Sequence, residues 1–289
     1  MNGVINIYKP CGMTSFDVVR LVKKVTKIKK TGHTGTLDPE ACGVLPVCIG
    51  KATKIVDFIM NNSKTYVTTM RLGIETDTYD REGKVISQKE VVCTEEEIIS
   101  TINGYIGDIS QVPPMYSALK VNGQRLYDLA RKGIEVERKP RDITIYNVTI
   151  KKIDIPYVTF EVHCSKGTYI RSLCFDIGNK LGCGAAMWAL ERTSSGFFNV
   201  ENSVSIEVLS LENINDHLIS MDDALNAYEK ITINNQFEKL LLNGVTIKNQ
   251  WLLNGITLHK LYRVYLENNT FVGLGERAVD GFRIVKLLI

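Results

Sequence analysis

The stretch GHTGTLDPEACGVLPVCIGKATK, Gly32 to Lys54, holds Asp38 between Gly35 and Pro39, with His33 five residues before it. Pro39 fixes its own φ and biases Asp38 toward extended backbone. Gly32 and Gly35 leave room for a second backbone or a nucleotide to come close. Two explanations fit these residues. Asp38 is either the N-cap of a following helix, the ordinary use of an aspartate after a glycine-rich turn, or a nucleophile on a rigid loop. A nucleophilic carboxylate must be ionised, and a neighbouring guanidinium keeps it so and orients it. On charge and position the candidate is Arg171, in the first turn of a helix further along the chain.

Other chemistries that glycine-rich stretches serve are excluded by spacing. A Walker A loop needs four residues between its glycines and Ser or Thr after the lysine. Here six residues separate Gly43 from Gly50, and Ala52 follows Lys51. Gly32-His33-Thr34-Gly35 matches the GXXG of KH domains, but its flanks do not supply the rest of that module. The four histidines, His33, His163, His217 and His259, make no ligand-spaced pair, so no metal site is expected.

Working outward, Val4–Tyr8 is expected to be a strand, and Thr14 with Asp17 forms a capping box that opens a helix. Val18, Leu21, Val22 and Val25 would be its core face. Arg20, Lys23, Lys24 and Lys27 repeat that spacing about 200° around the axis, an all-basic face with no acid before Lys30. Thr65–Leu72 and Lys84–Val91 are expected as strands, and Thr94 opens a second helix. From Pro113 to Arg141 the chain is irregular and basic, with Lys120, Arg125, Arg131 and Arg141 among its cations and Tyr116 and Tyr127 interleaved. Cations for phosphates beside tyrosines for stacking are what an RNA-contacting segment needs. Val158–Cys164 is expected as a strand leading into a helix whose buried face carries Ile170, Leu173, Cys174, Ile177 and Leu181. After about Tyr228, a short helix and strands at Tyr262–Glu267, Thr270–Leu274 and Phe282–Leu287, joined by Asn/Gly turns, describe a small β-barrel.

The composition fits. At 289 residues the chain holds one large and one small domain, and 44% hydrophobic with 23% charged residues argues against disorder. A net charge of +3 is too small to indicate nucleic acid, so the clustering of the cations carries that expectation instead. Seven scattered cysteines without a CxxC pair suit buried or half-buried thiols in a reducing cytoplasm. No secretory leader and no run of about 18 apolar residues is present, so a cytoplasmic location is expected.

Six segments in order carry a resemblance: GVINIYKPCGMTS (Gly3–Ser15), the opening stretch, KTYVTTMRLGIETDTYDREG (Lys64–Gly83), QVPPMYSALKVNGQRLYDLARKGIEVERKPR (Gln111–Arg141), GTYIRSL (Gly167–Leu173) and LERTSSG (Leu190–Gly196). Together they resemble the TruB family of tRNA pseudouridine synthases, across about the first 200 residues, and the C-terminal barrel resembles the PUA domain that ends family members. The resemblance implies an α/β (α+β) fold with a mixed, largely antiparallel sheet. It divides the chain into a catalytic domain, 1–228, with an RNA clamp near 111–141, and a PUA-like domain, 229–289.

The resemblance further implies that Asp38 is the catalytic aspartate, that Tyr66 packs on the target base and takes part in proton transfer at C5, and that Arg171 pairs with the aspartate. Lys9, His33, Tyr169 and Leu190 become substrate-binding residues. Each also has an ordinary explanation: core aromatics for Tyr66 and Tyr169, a solvated turn for Lys9, packing for Leu190. Glu191 and Ser194 stand where family members often carry basic residues, and Cys42 where Ser or Thr is common. The reaction so implied isomerises uridine 55 in the T-loop of tRNA, with Asp38 acting on a flipped-out base, no cofactor, no obligate protein partner and a monomeric enzyme. The alternatives are an RNA-guided synthase of a ribonucleoprotein and a non-catalytic tRNA-binding or tRNA-folding protein.

Overall fold

The computed structural model describes residues 1–121 and 123–289. The chain forms two compact units. One comprises Met1–Asp38, Val44–Asn61 and Gly196–Ile289; the other comprises Pro39–Gly43 and Asn62–Ser195.

In the first unit, the Gly3–Lys9 strand is buried nearly throughout, as its run of apolar residues requires. It pairs in parallel with Val204–Ser205 and antiparallel with Leu218–Ile219. The helix Ser15–Thr26 follows. Thr14 caps it and Asp17 closes the expected capping box, a device worth about 1 kcal/mol. Its buried stripe is Ser15, Val18, Val19, Val22 and Thr26. Relative to the expected stripe the helix is rotated, so Leu21 is 36% exposed. The rotation turns Ser15 inward, where it is needed by a neighbouring loop described below. Thr31–His33 then pairs antiparallel with Val47–Ile49 of the strand Cys42–Ile49.

The C-terminal part of this unit is a four-stranded sheet. Glu229–Ile233 pairs in parallel with Leu261–Leu266, which continues antiparallel to Phe271–Ala278 and Gly281–Leu287. The last three strands fall where the alternating pattern and turns predict them; Glu229–Ile233 is an addition. The sheet has its own core of Ile233, Leu241, Ile247, Tyr262, Val264, Val272 and Phe282. A second cluster joins Val4, Val44, Ala52, Ile55 and Ile59 to Phe198, Leu225, Leu274 and Leu288. Lys51 and Lys54 donate to the carbonyls of Ile289 (2.8 Å) and Leu287 (3.1 Å). The end of the sequence is thus packed into a core begun by its fourth residue.

The second unit is built on the strand Lys64–Leu72, whose alternate residues are buried. It lies antiparallel between Tyr157–Cys164 and Ala185–Ser195. Tyr157–Cys164 continues antiparallel to Arg141–Asp154, which pairs with Gly107–Gln111. The parallel step is short, Cys42 and Gly43 beside Glu191 and Arg192. Gly43 has φ +104°, and a Cβ there would meet the Arg192 carbonyl oxygen at 2.3 Å, so only glycine fits. The sheet is therefore mixed and largely antiparallel, as expected. Ile74–Thr76 and Val85–Gln88 form a small hairpin, shorter than the expected Lys84–Val91 strand. Glu95–Asn103 is a capped helix starting after Thr94.

The basic segment is more ordered than its composition suggests. Lys120–Val121 pairs with Gln124–Arg125, the helix Leu126–Ala130 follows, and Met115, Leu126 and Leu129 make a core of their own.

Candidate active site

Asp38 is half-buried and precedes a turn at Pro39–Glu40 and then the strand Cys42–Ile49; no helix begins there. It is therefore not the N-cap of a helix. What precedes it is fixed at several points. Thr34, fully buried, donates from backbone N (3.0 Å) and hydroxyl (3.4 Å) to the carbonyl of Pro46. His33 Nδ1 accepts from the Gly35 amide at 3.3 Å, and Gly35 takes φ +134°. Ser15, the first residue of the rotated helix, donates to the Leu37 carbonyl at 3.1 Å and accepts from the Leu37 amide at 2.8 Å. A single buried hydroxyl thus satisfies both backbone groups of the residue just before Asp38, which restricts the carboxylate without touching it.

Lys9, in the same unit, is not a solvated turn residue. Its side chain is fully buried and its ammonium donates to the carbonyls of Pro10 (2.8 Å) and Met13 (2.7 Å), bracing the chain between strand and helix. Arg20, Lys24 and Lys27 are exposed and Lys23 is half-buried. Arg20 pairs with Asp17 at 2.9 Å, and Arg20 and Lys23 both lie over the exposed ring of Phe16. A cleft of about 400 Å³ elsewhere in this unit is lined by Asn6, Phe197, Asn202 and His217, and by none of the expected site residues.

In the second unit, Tyr66 is 9% exposed on the buried face of Lys64–Leu72. It stands opposite Val162 on one side and Arg192 on the other. Leu190 is opposite Thr68, so Leu190 and Arg192 share the face carrying Tyr66. Lys64, two residues before Tyr66, is buried and donates to the Asn62 carbonyl at 2.5 Å. Burial, and then the charge of Arg192, push its ammonium down to about 8.

Arg171 is 6% exposed, deeper than its place beside the expected helix face implies. Its guanidinium donates to the Tyr116 carbonyl at 2.7 Å, to Asp80 Oδ2 at 3.3 Å and to the Thr78 carbonyl at 3.4 Å. Asp80 also accepts from the Thr78 hydroxyl at 2.6 Å and the Glu82 amide at 3.1 Å. Tyr169 occupies the N-cap position of the helix Ile170–Lys180. Its amide donates to Gln111 Oε1 (2.8 Å), and Gln111 Nε2 donates to its carbonyl (3.1 Å). Ser172 donates to the Val112 carbonyl at 2.8 Å. The first turn of this helix is therefore stitched to the start of the basic segment. Beyond it, Lys120, Arg125, Arg131 and Arg141 are all exposed, with Arg125 and Arg131 against the ring of Tyr127.

Three supporting residues were not singled out from the sequence: Ser15, Asp80 and Gln111. Each sits inside a segment that was, Asp80 in the same stretch as Tyr66 and Gln111 at the head of the basic segment. Among the described residues no cluster of His, Cys, Asp or Glu is arranged to hold a metal ion. Among the described residues no helix is long and apolar enough to cross a membrane.

Residues 23–170 match the TruB family pseudouridylate synthase N-terminal domain, and residues 171–232 match the tRNA pseudouridylate synthase B C-terminal domain. The chain belongs to the TruB family. It is 59% identical to a protein of Clostridium novyi (strain NT) and 57% identical to one of Clostridium tetani (strain Massachusetts / E88), both over 100% of each chain, and both named tRNA pseudouridine synthase B. A protein of the same name from Alkaliphilus oremlandii (strain OhILAs) is 48% identical over 95% of this chain and 93% of its own. Among solved structures, a chain of a Cbf5-Nop10-Gar1 complex superposes with TM-score 0.76 and 27% identity, over 99% of this chain and 85% of that one. A chain of an H/ACA RNP bound to a substrate RNA containing 2'-deoxyuridine gives TM-score 0.74 and 25% identity over the same shares. The architecture is that of the pseudouridine synthases, and the C-terminal four-stranded sheet fits a PUA-like domain.

Proposed function

We propose that this TruB family member is a tRNA pseudouridine synthase that isomerises the T-loop uridine at position 55. The observation that carries the assignment is end-to-end similarity, at 57–59% identity, to proteins named for that activity. In the reaction the N1–C1′ bond of uridine breaks and a C5–C1′ bond forms, while C5 gives up its proton and N1 gains one. Nothing is oxidised and no group is donated, so the chemistry asks for no cofactor.

In this proposal Asp38 is the nucleophile, and the grip of Ser15 on Leu37 holds it in place. Tyr66 packs against the extruded base, and stacking of this kind is worth about 1–3 kcal/mol, against the few kcal/mol that extrusion costs. Arg171 holds charge in the site and is itself oriented by Asp80 and Tyr116. Lys9, His33, Tyr169 and Leu190 shape the surroundings. Arg20, Lys23, Lys24 and Lys27, with Lys120, Arg125, Arg131 and Arg141, grip phosphates and supply affinity without reading sequence. The segment 111–141 acts as the clamp, and 229–289 as a second RNA-contacting domain. The enzyme acts in the cytoplasm as a monomer, without guide RNA or obligate protein partner.

The test is tritium release from [5-³H]uridine in an unmodified tRNA transcript, with no guide RNA or cofactor added. Release is expected from the wild type and not from Asp38→Asn, while both bind tRNA. Release by both would reassign the nucleophile. Binding without release by either would leave a guided enzyme or a binding protein.

A further inference from the structure

Among the described residues, four that are not glycine hold a left-handed backbone: Lys27, Tyr79, His259 and Asn269. Lys27, His259 and Asn269 are exposed, Lys27 where the Ser15–Thr26 helix ends. Tyr79, at φ +65°, is instead half-buried, in the loop between Ile74–Thr76 and Val85–Gln88. For a bulky aromatic residue this conformation is unfavourable, and it persists only where the surroundings over-determine it.

The surroundings of Tyr79 do so. Its ring stacks on that of Phe175, with centroids 4.0 Å apart and an interplanar angle of 17°. Its amide donates to the Thr76 carbonyl (3.2 Å), and its carbonyl accepts from the Met187 amide (2.9 Å). The Met187 carbonyl in turn accepts from the Arg81 amide (3.0 Å). One residue of Ala185–Ser195 thus holds the backbone on both sides of Asp80. The Thr76 hydroxyl donates to the Asp80 carbonyl at 2.7 Å.

The consequence lies on the helix opposite. Arg171 and Phe175 stand four residues apart on Ile170–Lys180, which makes them neighbours on one face. Asp80 meets the first at 3.3 Å while Tyr79 meets the second. In extended backbone two consecutive side chains point to opposite sides; the left-handed turn at Tyr79 brings both onto the same helix. Beyond it, Arg81 donates to Glu40 Oε2 at 2.6 Å. That pair is exposed and adds little, whereas the Arg171–Asp80 pair is largely buried.

We infer that Tyr79 is a positioning residue for the proposed reaction: its ring, seated on Phe175, holds the backbone that aims Asp80 at Arg171. The inference rests on the reading of Arg171 as a residue of the active site. Tyr79 acts through Asp80 and is assigned no contact with the uridine. Without the ring the turn loses its anchor, and the carboxylate of Asp80 swings away from the guanidinium it orients.

The test compares Tyr79→Phe, Tyr79→Ala and Tyr79→Gly in the full chain. Single-turnover tritium release is measured with enzyme in excess, beside tRNA affinity, urea midpoint and amide hydrogen exchange of 76–83 without RNA. Tyr79→Phe keeps the ring and should match the wild type. Tyr79→Ala and Tyr79→Gly should lower the rate on the order of 10- to 100-fold, the cost of a small misplacement, with tRNA affinity unchanged and 76–83 exchanging faster. Glycine is at ease at positive φ, so Tyr79→Gly should have the higher urea midpoint of the two without recovering rate. A role in stability alone would make rate follow midpoint. In an Asp80→Asn background Tyr79→Ala should cost no further rate, because both act on one pair. A wild-type rate or wild-type exchange of 76–83 in folded Tyr79→Ala would overturn the inference, as would a full further loss in the Asp80→Asn background. No release from the wild type would sink the assigned activity instead, and the exchange of 76–83 would then decide whether Tyr79 holds the loop.

Discussion

Arg171, proposed as a site residue, is held by partners that its own stretch of sequence does not mark. Its guanidinium is held by Asp80, 91 residues away in sequence, and by the Tyr116 carbonyl. A buried charge-assisted hydrogen bond is worth about 1.5–3 kcal/mol. Asp80→Asn is therefore expected to lower kcat on the order of 10- to 100-fold with KM little changed, read by single-turnover tritium release; an unchanged rate would remove Asp80 from the machinery. Lys64 makes a separate prediction. Its buried ammonium titrates near 8 in the folded protein, against 10.5 for the ordinary side chain. Between those values the unfolded chain binds more protons, so this site's contribution rises with pH, by at most about 1.4 kcal/mol per pH unit. It is complete above 10.5 and lost as pH falls to 8. Lys64→Met should flatten the urea-derived stability profile over that interval, and an unaltered slope would contradict the burial. Asp38 and Tyr66 are proposed from the sequence because their neighbours in sequence carry the pattern. Asp80 and Gln111 are not, because each acts on a partner that only the fold brings near, 91 and 58 residues away.

The elements were legible wherever a local signal defined them. Thr14 with Asp17 and Thr94 with Glu97 each close a capping box, and both helices begin where those residues place them. Periodicity identified the helix Ser15–Thr26 but not its rotation, because Val18 and Val22 belong to the stripes on both settings, and the choice fell to the hydrogen bonds of Ser15. Ala185–Ser195 escaped notice as a strand because register shifts after Met187 and Arg192 break its alternation. Arg141–Asp154 is likewise interrupted, after Ile145 and Ile150. Close approach is equally invisible to pattern. Gly178 sits inside Ile170–Lys180, where a Cβ would meet the Ala185 amide nitrogen at 2.1 Å and the Gly184 carbonyl carbon at 2.4 Å. Helix propensity alone would favour Gly178→Ala by about 1 kcal/mol, yet overpacking against backbone costs about 1–3 kcal/mol. The substitution is expected to destabilise, as a lowered urea midpoint; a raised midpoint would show that the helix has room to move.

At the scale of the molecule, a net charge of +3 conceals two concentrations of cations, and it is these that tRNA should sense. Each phosphate contact adds about 0.7–0.9 to the slope of log K against log salt. Replacing Lys120, Arg125, Arg131 and Arg141 by Gln is therefore expected to reduce that slope by about 3, and a slope that does not move would exclude the segment from the RNA. The division into units was not legible, since the sequence suggests consecutive domains whereas Met1–Asp38 shares a core with Gly196–Ile289. That core has a bearing on how the protein is made. Residues 62–195 of the second unit leave the ribosome as one stretch and hold most of what that unit needs to fold. The first strand emerges before them, but Val4 and Ile55 find Phe198, Leu274 and Leu288 only when those residues have been made. Met1–Asp38 thus waits for Gly196–Ile289 before its core can close, and until then it is open to chaperones and proteases. Limited proteolysis of ribosome-bound chains arrested once Ser195 has emerged should cut within Met1–Asp38 while sparing 62–195, and protection of both would show that the amino-terminal strand finds another shelter first.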